Sequence, residues 1–381
     1  MTSLCYLDHA ATTPLHPEAL AAMLPFLGAE FANPSSSHRA ARQVRSAVDE
    51  AREQLAELFG CAASEVVFTS GGTEADNLAV KGAAAARAGA VVVSAVEHHA
   101  VLGAAARVGA TTAPVDGDGL VDPAEVAALL GPDGVLCSVM AVNNETGVVQ
   151  PVADVAEAVH DRAPRALVHC DAVQAFPLLP LQRLGAPDLV SFSAHKFGGP
   201  KGVGVLVVRE GARERLRPLI DGGSQEDSLR AGTENVAGIV GMAVAARLAA
   251  ATAAPAALAA LRDDLGAAVR GTVAGVTETG SQVERVASIC HLVFADAEAE
   301  ELLLLLDEEG VAASAGAACA AGAIEASHVL LAMGRSTEEA RRAVRFSLGA
   351  ATTRADIERA AAAVGRAHRR LTRGVGAAGE N

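Results

Sequence analysis

The chain is 381 residues long, 51% hydrophobic and 20% charged, too long for one ordinary core and too apolar for disorder. Its 31 basic and 45 acidic residues leave a net charge of −14, a surface that repels phosphate backbones, so direct nucleic-acid binding is not expected. Cys5, Cys61, Cys137, Cys170, Cys290 and Cys319 form no CxxC pair and no HExxH occurs, so no metal site is signalled; with no leader pattern at the start, scattered thiols point to a reduced, cytoplasmic setting.

In chain order, short β-rich runs alternate with helical stretches between about residues 60 and 210. Strands are predicted at Val66–Thr69, Val91–Ser94, Val135–Ala141, Ala166–Cys170, Leu189–Ser193 and Gly204–Val208, with a helix starting near Thr73 behind the pair Gly71-Gly72. Fully apolar strands separated by helices indicate an α/β sheet covered on both faces, with polar groups at strand ends building the site. The stretch Val236–Leu261 is interrupted by Arg247 and Pro255 and reads as a buried helix followed by a break, so no membrane span is expected. Ala249–Pro255 is the candidate domain boundary. Beyond it helices dominate, with Leu302–Leu306 as a core helix segment and strand-like pieces at Ser288–Phe294 and Ala343–Ser347. Ser336 with Glu339 forms a capping-box signature, and this part reads as a smaller α+β domain.

Only three of the basic residues are lysines: Lys81, Lys196 and Lys201. A lysine amine can lose its proton and bond a carbonyl, which arginine cannot do. Lys196 follows a predicted strand and precedes glycines; Asp171 ends another strand about 25 residues upstream. Such a pair suits pyridoxal phosphate (PLP), the amine taking the aldehyde and the carboxylate keeping the ring nitrogen protonated. On its own Asp171 also reads as a helix cap. Thr69-Ser-Gly-Gly-Thr-Glu74, after a strand and opening a helix, offers backbone N–H groups to a phosphate, with Ser193 and His195 as further donors; a plain strand–turn–helix reads the same way. His98 is a candidate to stack on a ring and pass protons, or an ordinary loop histidine. Cys319 lies among tiny residues, which suggests a moving nucleophile as readily as a packed thiol.

These residues fall into an ordered series of motifs: Tyr6–Pro14, Asn33-Pro-Ser-Ser with His38, Thr69–Glu74, Asn143-Asn-Glu-Thr-Gly147, Asp171-Ala-Val-Gln174, Ser193-Ala-His-Lys196, Arg230-Ala-Gly-Thr233, Cys319 with Ser327-His-Val-Leu330, and Arg345-Phe-Ser-Leu-Gly349. In that order the chain resembles the cysteine desulfurases, PLP enzymes of the class V aminotransferase group. The resemblance implies the PLP-dependent transferase type I fold: a mainly parallel central sheet in a large domain (14–252), plus a smaller α+β domain (1–13 and 253–381) carrying a mobile cysteine loop at about 310–327. It implies that Lys196 bonds the cofactor aldehyde and Asp171 the ring nitrogen. Gln174 and Asn144 meet the ring oxygen, and His98 stacks and shuttles protons. Gly72, Thr73, Ser193 and His195 bind the phosphate, with Thr233 reaching it from the other subunit of a homodimer. Asn33 and Arg345 hold the substrate carboxylate; a guanidinium fork suits that task. Cys319 accepts the sulfur of L-cysteine.

The chain departs from the family at Ala320, where a small hydroxyl residue is common, and at Arg373–Asn381, which lacks the aromatic tail that docks an iron–sulfur scaffold. The acceptor is then a scaffold, thiolation or DNA-modification protein. A selenocysteine lyase or another PLP-dependent lyase or aminotransferase of the same fold is the alternative, and dependence on Cys319 separates the two.

Overall fold

The computed structural model describes residues 4–316, 319–320, 323–324 and 326–377, with 319–320, 323–324 and 373–377 as backbone only. A seven-stranded sheet occupies the middle of the chain. Its strands, in spatial order, are Val66–Thr69, Gly204–Val208, Leu189–Ser193, Leu167–Asp171, Leu136–Ser138, Val91–Ser94 and Thr111–Ala113. Neighbours are parallel from Leu189–Ser193 to the Thr111–Ala113 edge, whereas Gly204–Val208 runs antiparallel to both of its partners.

Alternation along each strand divides the sheet into two apolar faces. Val67, Leu136, Leu167, Leu189 and Leu206 pack under the helices Gly72–Ala86 and His99–Val108. Phe68, Val92, Cys137, Val168, Phe192 and Val205 pack on the opposite face under Arg39–Phe59, Val152–Arg162 and Val236–Thr252. The helix Arg39–Phe59 shows why: Ala41, Val44, Val48, Ala51, Leu55 and Phe59 recur at three- and four-residue spacing, all buried, and Gly60 ends the helix at φ 64°.

A second core forms around the antiparallel sheet of Thr277–Glu278, Ile289–Val293 and Ala343–Ser347. Leu265, Val269, Leu292, Phe294, Leu306 and Phe346 fill it together with Cys5 and Leu7 from the other end of the chain. The strand Cys5–Tyr6 pairs in parallel with Val311–Ala312. The core helix expected at Leu302–Leu306 is Ala299–Glu308, and Ser336 with Glu339 forms the expected capping box.

One strand is shorter than expected, one was not expected, and a break between two helices falls inside the proposed boundary stretch. The strand predicted over Val135–Ala141 spans Leu136–Ser138, because beyond Ser138 the chain keeps only single bonds to its neighbour, Val139 N–H to His169 and Ala141 N–H to Asp171. The proposed boundary at Ala249–Pro255 begins inside a helix that runs to Thr252; the break is the Ala253-Ala254 step, where the following helix Pro255–Thr272 turns away by 76°. Thr111–Ala113 was not predicted. No single helix among the described residues is long and apolar enough to cross a membrane.

Candidate active site

The carboxyl ends of the parallel strands converge on the amino end of the chain. Lys196 lies in the 3-10 turn Ala194–Lys196, directly after the strand Leu189–Ser193. Its Nζ donates to the carbonyls of Ala10 at 2.6 Å and Ala11 at 3.0 Å. Burial, reinforced by the Arg345 guanidinium, pulls the Lys196 ammonium down to about 8, against the opposing pull of Asp171 and Asp8. Gln174 Nε2 donates to the same Ala10 carbonyl at 2.8 Å, so one backbone oxygen gathers Lys196 and Gln174.

Asp171 ends the adjacent strand and is 5% exposed. Its Oδ1 accepts the Val173 N–H at 2.9 Å. Burial drives its carboxyl up to about 6, while the Val173 N–H and Lys196 pull it back. A buried carboxylate that has lost its hydration gains most from a cationic N–H donor, the chemistry a protonated pyridine nitrogen offers.

Gly72 opens the helix Gly72–Ala86, whose N-cap Gly71 provides no side-chain cap. A Cβ on Gly72 would stand 2.9 Å from Val173 Cγ2 and 3.4 Å from Ser193 Cβ. Only glycine lets this helix start close down on the two strand ends, and its first N–H groups stay available to an anion. Ser193 is buried beside it, Thr73 is exposed, and His195 Nδ1 lies 3.2 Å from Thr12 Oγ1. Burial, then Lys196 and Lys201, lower the His195 imidazole to about 4. The donor set therefore fits PLP: an amine that can shed its proton, a buried acid and an uncapped helix start.

His98 caps the helix His99–Val108 through Nδ1, which accepts the Ala100 N–H at 3.1 Å, so the neutral ring carries its proton on Nε2. The ring keeps solvent access, yet the surrounding chain, then Lys196, His99 and His328, push it down to about 4. Lys196 thus senses Asp171, and His98 senses Lys196; these three are brought together.

Arg345 comes from the smaller sheet and is 4% exposed. Its guanidinium donates to the Asn144 carbonyl at 2.8 Å and to Asp8 Oδ1 at 2.8 Å, while its buried Nε has no hydrogen-bond partner among the described residues. Asn144 thereby meets Arg345 through its backbone. Asn33 is exposed and its Oδ1 accepts the Ser35 N–H at 2.9 Å; among the described residues no hydrogen bond joins it to Arg345. Thr233 is exposed, and none joins it to the other candidates. The backbone of Cys319–Ala320 pairs antiparallel with Ala323–Ile324. The Cys319 side chain, the centre of the expected loop and the terminal departure at 373–381 lie outside the described side chains.

Sequence reasoning missed a buried polar layer beneath Asp171. Ser138 Oγ and Ser191 Oγ each lie 2.9 Å from a ring nitrogen of His169, whose Nε2 stands 3.6 Å from Asp76 Oδ1. Burial pushes His169 down to about 3 and raises Asp76 well above the usual range, with Asp171 adding to the latter. Glu97, which accepts the Met140 N–H at 2.7 Å, is raised by burial in the same way. Strand period places His169 on the same face as Asp171 two residues on, a signal that was present in the sequence. Asp8, within the Tyr6–Pro14 motif, was missed as the partner of Arg345.

The sequence pattern of the aminotransferase class-V family matches residues 5–360. The chain is 46% identical over 364 residues to a cysteine desulfurase of Cereibacter sphaeroides, covering 93% of each chain. It is 43% identical over 364 residues to cysteine desulfurase IscS of Dictyoglomus turgidum, covering 92% of this chain and 91% of that one. Among solved structures, a NifS-like protein superposes with TM-score 0.88 at 33% identity, over 97% of this chain and 100% of the other. With a fold, an order of motifs and a donor set that agree over nearly the whole length, the chain belongs to the aminotransferase class-V family and, within it, to the cysteine desulfurases, whose cofactor is PLP.

Proposed function

We propose that this chain takes sulfur from L-cysteine, leaving L-alanine and a persulfide on Cys319 that an acceptor protein collects. The observation that carries this reading is the pairing of a deprotonable amine, Lys196, with the buried carboxyl of Asp171 at neighbouring strand ends, under the field of Arg345.

In this reading Asp171 holds the cofactor's ring nitrogen, Gln174 and Asn144 its ring oxygen, and Gly72, Thr73, Ser193 and His195 its phosphate, with His98 packed on the ring. When bound, the cofactor supplies an aldehyde for an amine and a ring that takes up electron density from the substrate's α-carbon. Lys196, with its ammonium near 8, carries enough free amine at neutral pH to bond the aldehyde and afterwards to move the α-proton. Arg345, assisted by Asn33, orients the substrate carboxylate. The Cys319 thiolate attacks the substrate sulfur: an S–S bond forms as the C–S bond breaks. The electron pair stays with carbon, which takes a proton from Lys196 or His98 and leaves as the methyl group of alanine.

The homodimer belongs to the same proposal. Thr233 is exposed and follows Glu226–Ser228, three non-glycine residues at φ 47°, 51° and 65°, which the Arg52–Glu226 ion pair at 2.7 Å supports. Such a surface segment suits contact with a second copy. A cytoplasmic setting is supported by the free thiols of Cys5, Cys61, Cys137, Cys170 and Cys290. The test is incubation with L-cysteine, followed by mass analysis of the Cys319 peptide. A gain of one sulfur with matching release of alanine, both absent in Cys319→Ala, is expected; alanine release that survives Cys319→Ala identifies a thiol-independent lyase instead.

A further inference from the structure

Glu145 lies in the turn Asn143–Gly147 and is 2% exposed. Its backbone is fastened first. Asn143 Oδ1 accepts the N–H groups of Glu145 at 3.0 Å and Thr146 at 2.9 Å, and Asn143 Nδ2 donates to the Val96 carbonyl at 3.0 Å, two residues before His98. A carboxylate this deeply buried needs partners, and burial raises its proton affinity.

Two positions flanking Cys319 stand close to Glu145, one of them as a hydrogen-bond donor. On the exit side, buried Ser327 donates through Oγ to Glu145 Oε2 at 2.5 Å, and the same Oγ accepts the Leu330 N–H at 3.1 Å. The next residue, His328, donates from Nε2 to the Glu97 carbonyl at 3.0 Å. On the entry side, Ser314 exchanges both backbone bonds with Arg345, at 2.7 and 3.1 Å. Gly316, at φ +79°, then passes so close to Glu145 that a Cβ there would stand 3.2 Å from its Cγ and 3.4 Å from the same Oε2. Glu145 therefore hydrogen-bonds Ser327 and fills the space in which a side chain at Gly316 would stand.

Cys319 is the third residue after Gly316. A chain spans at most about 3.3–3.6 Å per residue, so a fixed Gly316 confines the Cys319 backbone to within about 10 Å of that foot, whatever path the intervening residues take. The foot itself is set beside Arg345, and its counterpart beside the turn that carries His98.

We propose that Glu145 is a positioning residue of the desulfurase reaction: it holds one end of the Cys319-bearing segment through Ser327 and bounds the other at Gly316, and so limits the distance from which the thiol meets substrate. This rests on the reading of Cys319 as sulfur acceptor. Glu145 touches neither substrate nor cofactor in this role; it acts through Gly316 and Ser327.

The experiment uses cofactor-loaded full-length protein and compares Glu145→Ala, Glu145→Gln, Gly316→Ala and Cys319→Ala. Alanine release gives kcat, and the spectral change on adding L-cysteine gives its Kd. Misplacing a reacting group by a fraction of its reach lowers kcat by about ten- to a hundredfold without loosening substrate, and this is expected for Glu145→Ala and Gly316→Ala. Glu145→Gln, which keeps an acceptor for Ser327, is expected to recover to within about threefold of the parent. An unchanged kcat in Glu145→Ala overturns the proposal, as does a kcat loss matched by an equal loss of cysteine binding, or a Glu145→Gln as poor as Glu145→Ala. If Glu145→Ala does not fold, Ser327→Ala, which removes the donor to Glu145, is expected to show the same kcat loss, and an unchanged kcat there overturns the proposal. An active Cys319→Ala overturns the functional reading itself, whereas an inactive Cys319→Ala beside a normal Glu145→Ala overturns the positioning role alone.

Discussion

The two walls of the site are built on different electrostatic plans. On the wall formed by the seven-stranded sheet, Asp171 and Lys196 carry no close salt bridge among the described residues, and burial shifts each toward its neutral form, the acid up to about 6 and the amine down to about 8. On the wall formed by the smaller sheet, Arg345 is as deeply buried but is satisfied by pairing, with Asp8 and the Asn144 carbonyl each at 2.8 Å. Reaction chemistry needs groups that change protonation, and desolvation provides them; carboxylate recognition needs a charge that stays, and pairing keeps it. Arg345, proposed above to hold the substrate carboxylate, is already oriented by Asp8, and its Nε has no hydrogen-bond partner among the described residues.

Replacing the group on the desolvated wall has the largest consequence. Lys196→Ala removes the amine proposed to bond the aldehyde, and alanine release should fall by about a thousandfold or more, with loss of the visible absorbance of the reconstituted protein. Near-normal turnover in that variant breaks the comparison at its root. Asp171→Ala removes a charge-assisted bond worth about 1.5–3 kcal/mol, so the Kd for pyridoxal phosphate, read by equilibrium dialysis, should rise about ten- to hundredfold. On the paired wall, Arg345→Lys keeps the charge but loses the fork. It should raise the KM for cysteine by about tenfold while leaving cofactor affinity alone, and an equal loss of both would show that the walls are not independent.

The smallest effect is a pH shift that links the walls. Lys196 reacts as the free amine, so its capture of pyridoxal phosphate should quicken about tenfold per pH unit below about 8 and level off above it. Arg345 holds that amine's proton affinity down; Arg345→Met should therefore move the midpoint to higher pH, and Asp8→Asn, removing an opposing negative charge, to lower pH. Stopped-flow absorbance over pH 6–10 reads both directions, and a midpoint unmoved by either change would separate Lys196 from the opposite wall.

How much of this was legible beforehand follows the range of each interaction. Val66–Thr69, Leu189–Ser193 and Gly204–Val208 match their predicted strands residue for residue, because each is a fully buried apolar run bounded by polar or glycine residues. Thr111–Ala113 was missed because an edge strand with two exposed threonines carries no such run. Lys196 and Asp171 were legible as strand-end residues. Asp8 was not, since its partner Arg345 is 337 positions away and nothing local marks the pair. Glu145 was passed over inside a quoted motif: its role depends on Gly316 and Ser327, which only the folded chain brings beside it.

The pairing of Cys5–Tyr6 with Val311–Ala312 has a consequence for how the molecule comes into being. A nascent chain can close its central sheet once residue 208 has left the ribosome, but the opening segment must then wait about another hundred residues for its partner strand. Until that moment Ala10 and Ala11, whose carbonyls accept from Lys196, are held from one side only, by Lys196, Gln174 and the contacts of Thr12 and Thr13 with His195. The second flank of the Lys196 surroundings is thus added late in biosynthesis, once Val311–Ala312 has been made and has joined Cys5–Tyr6.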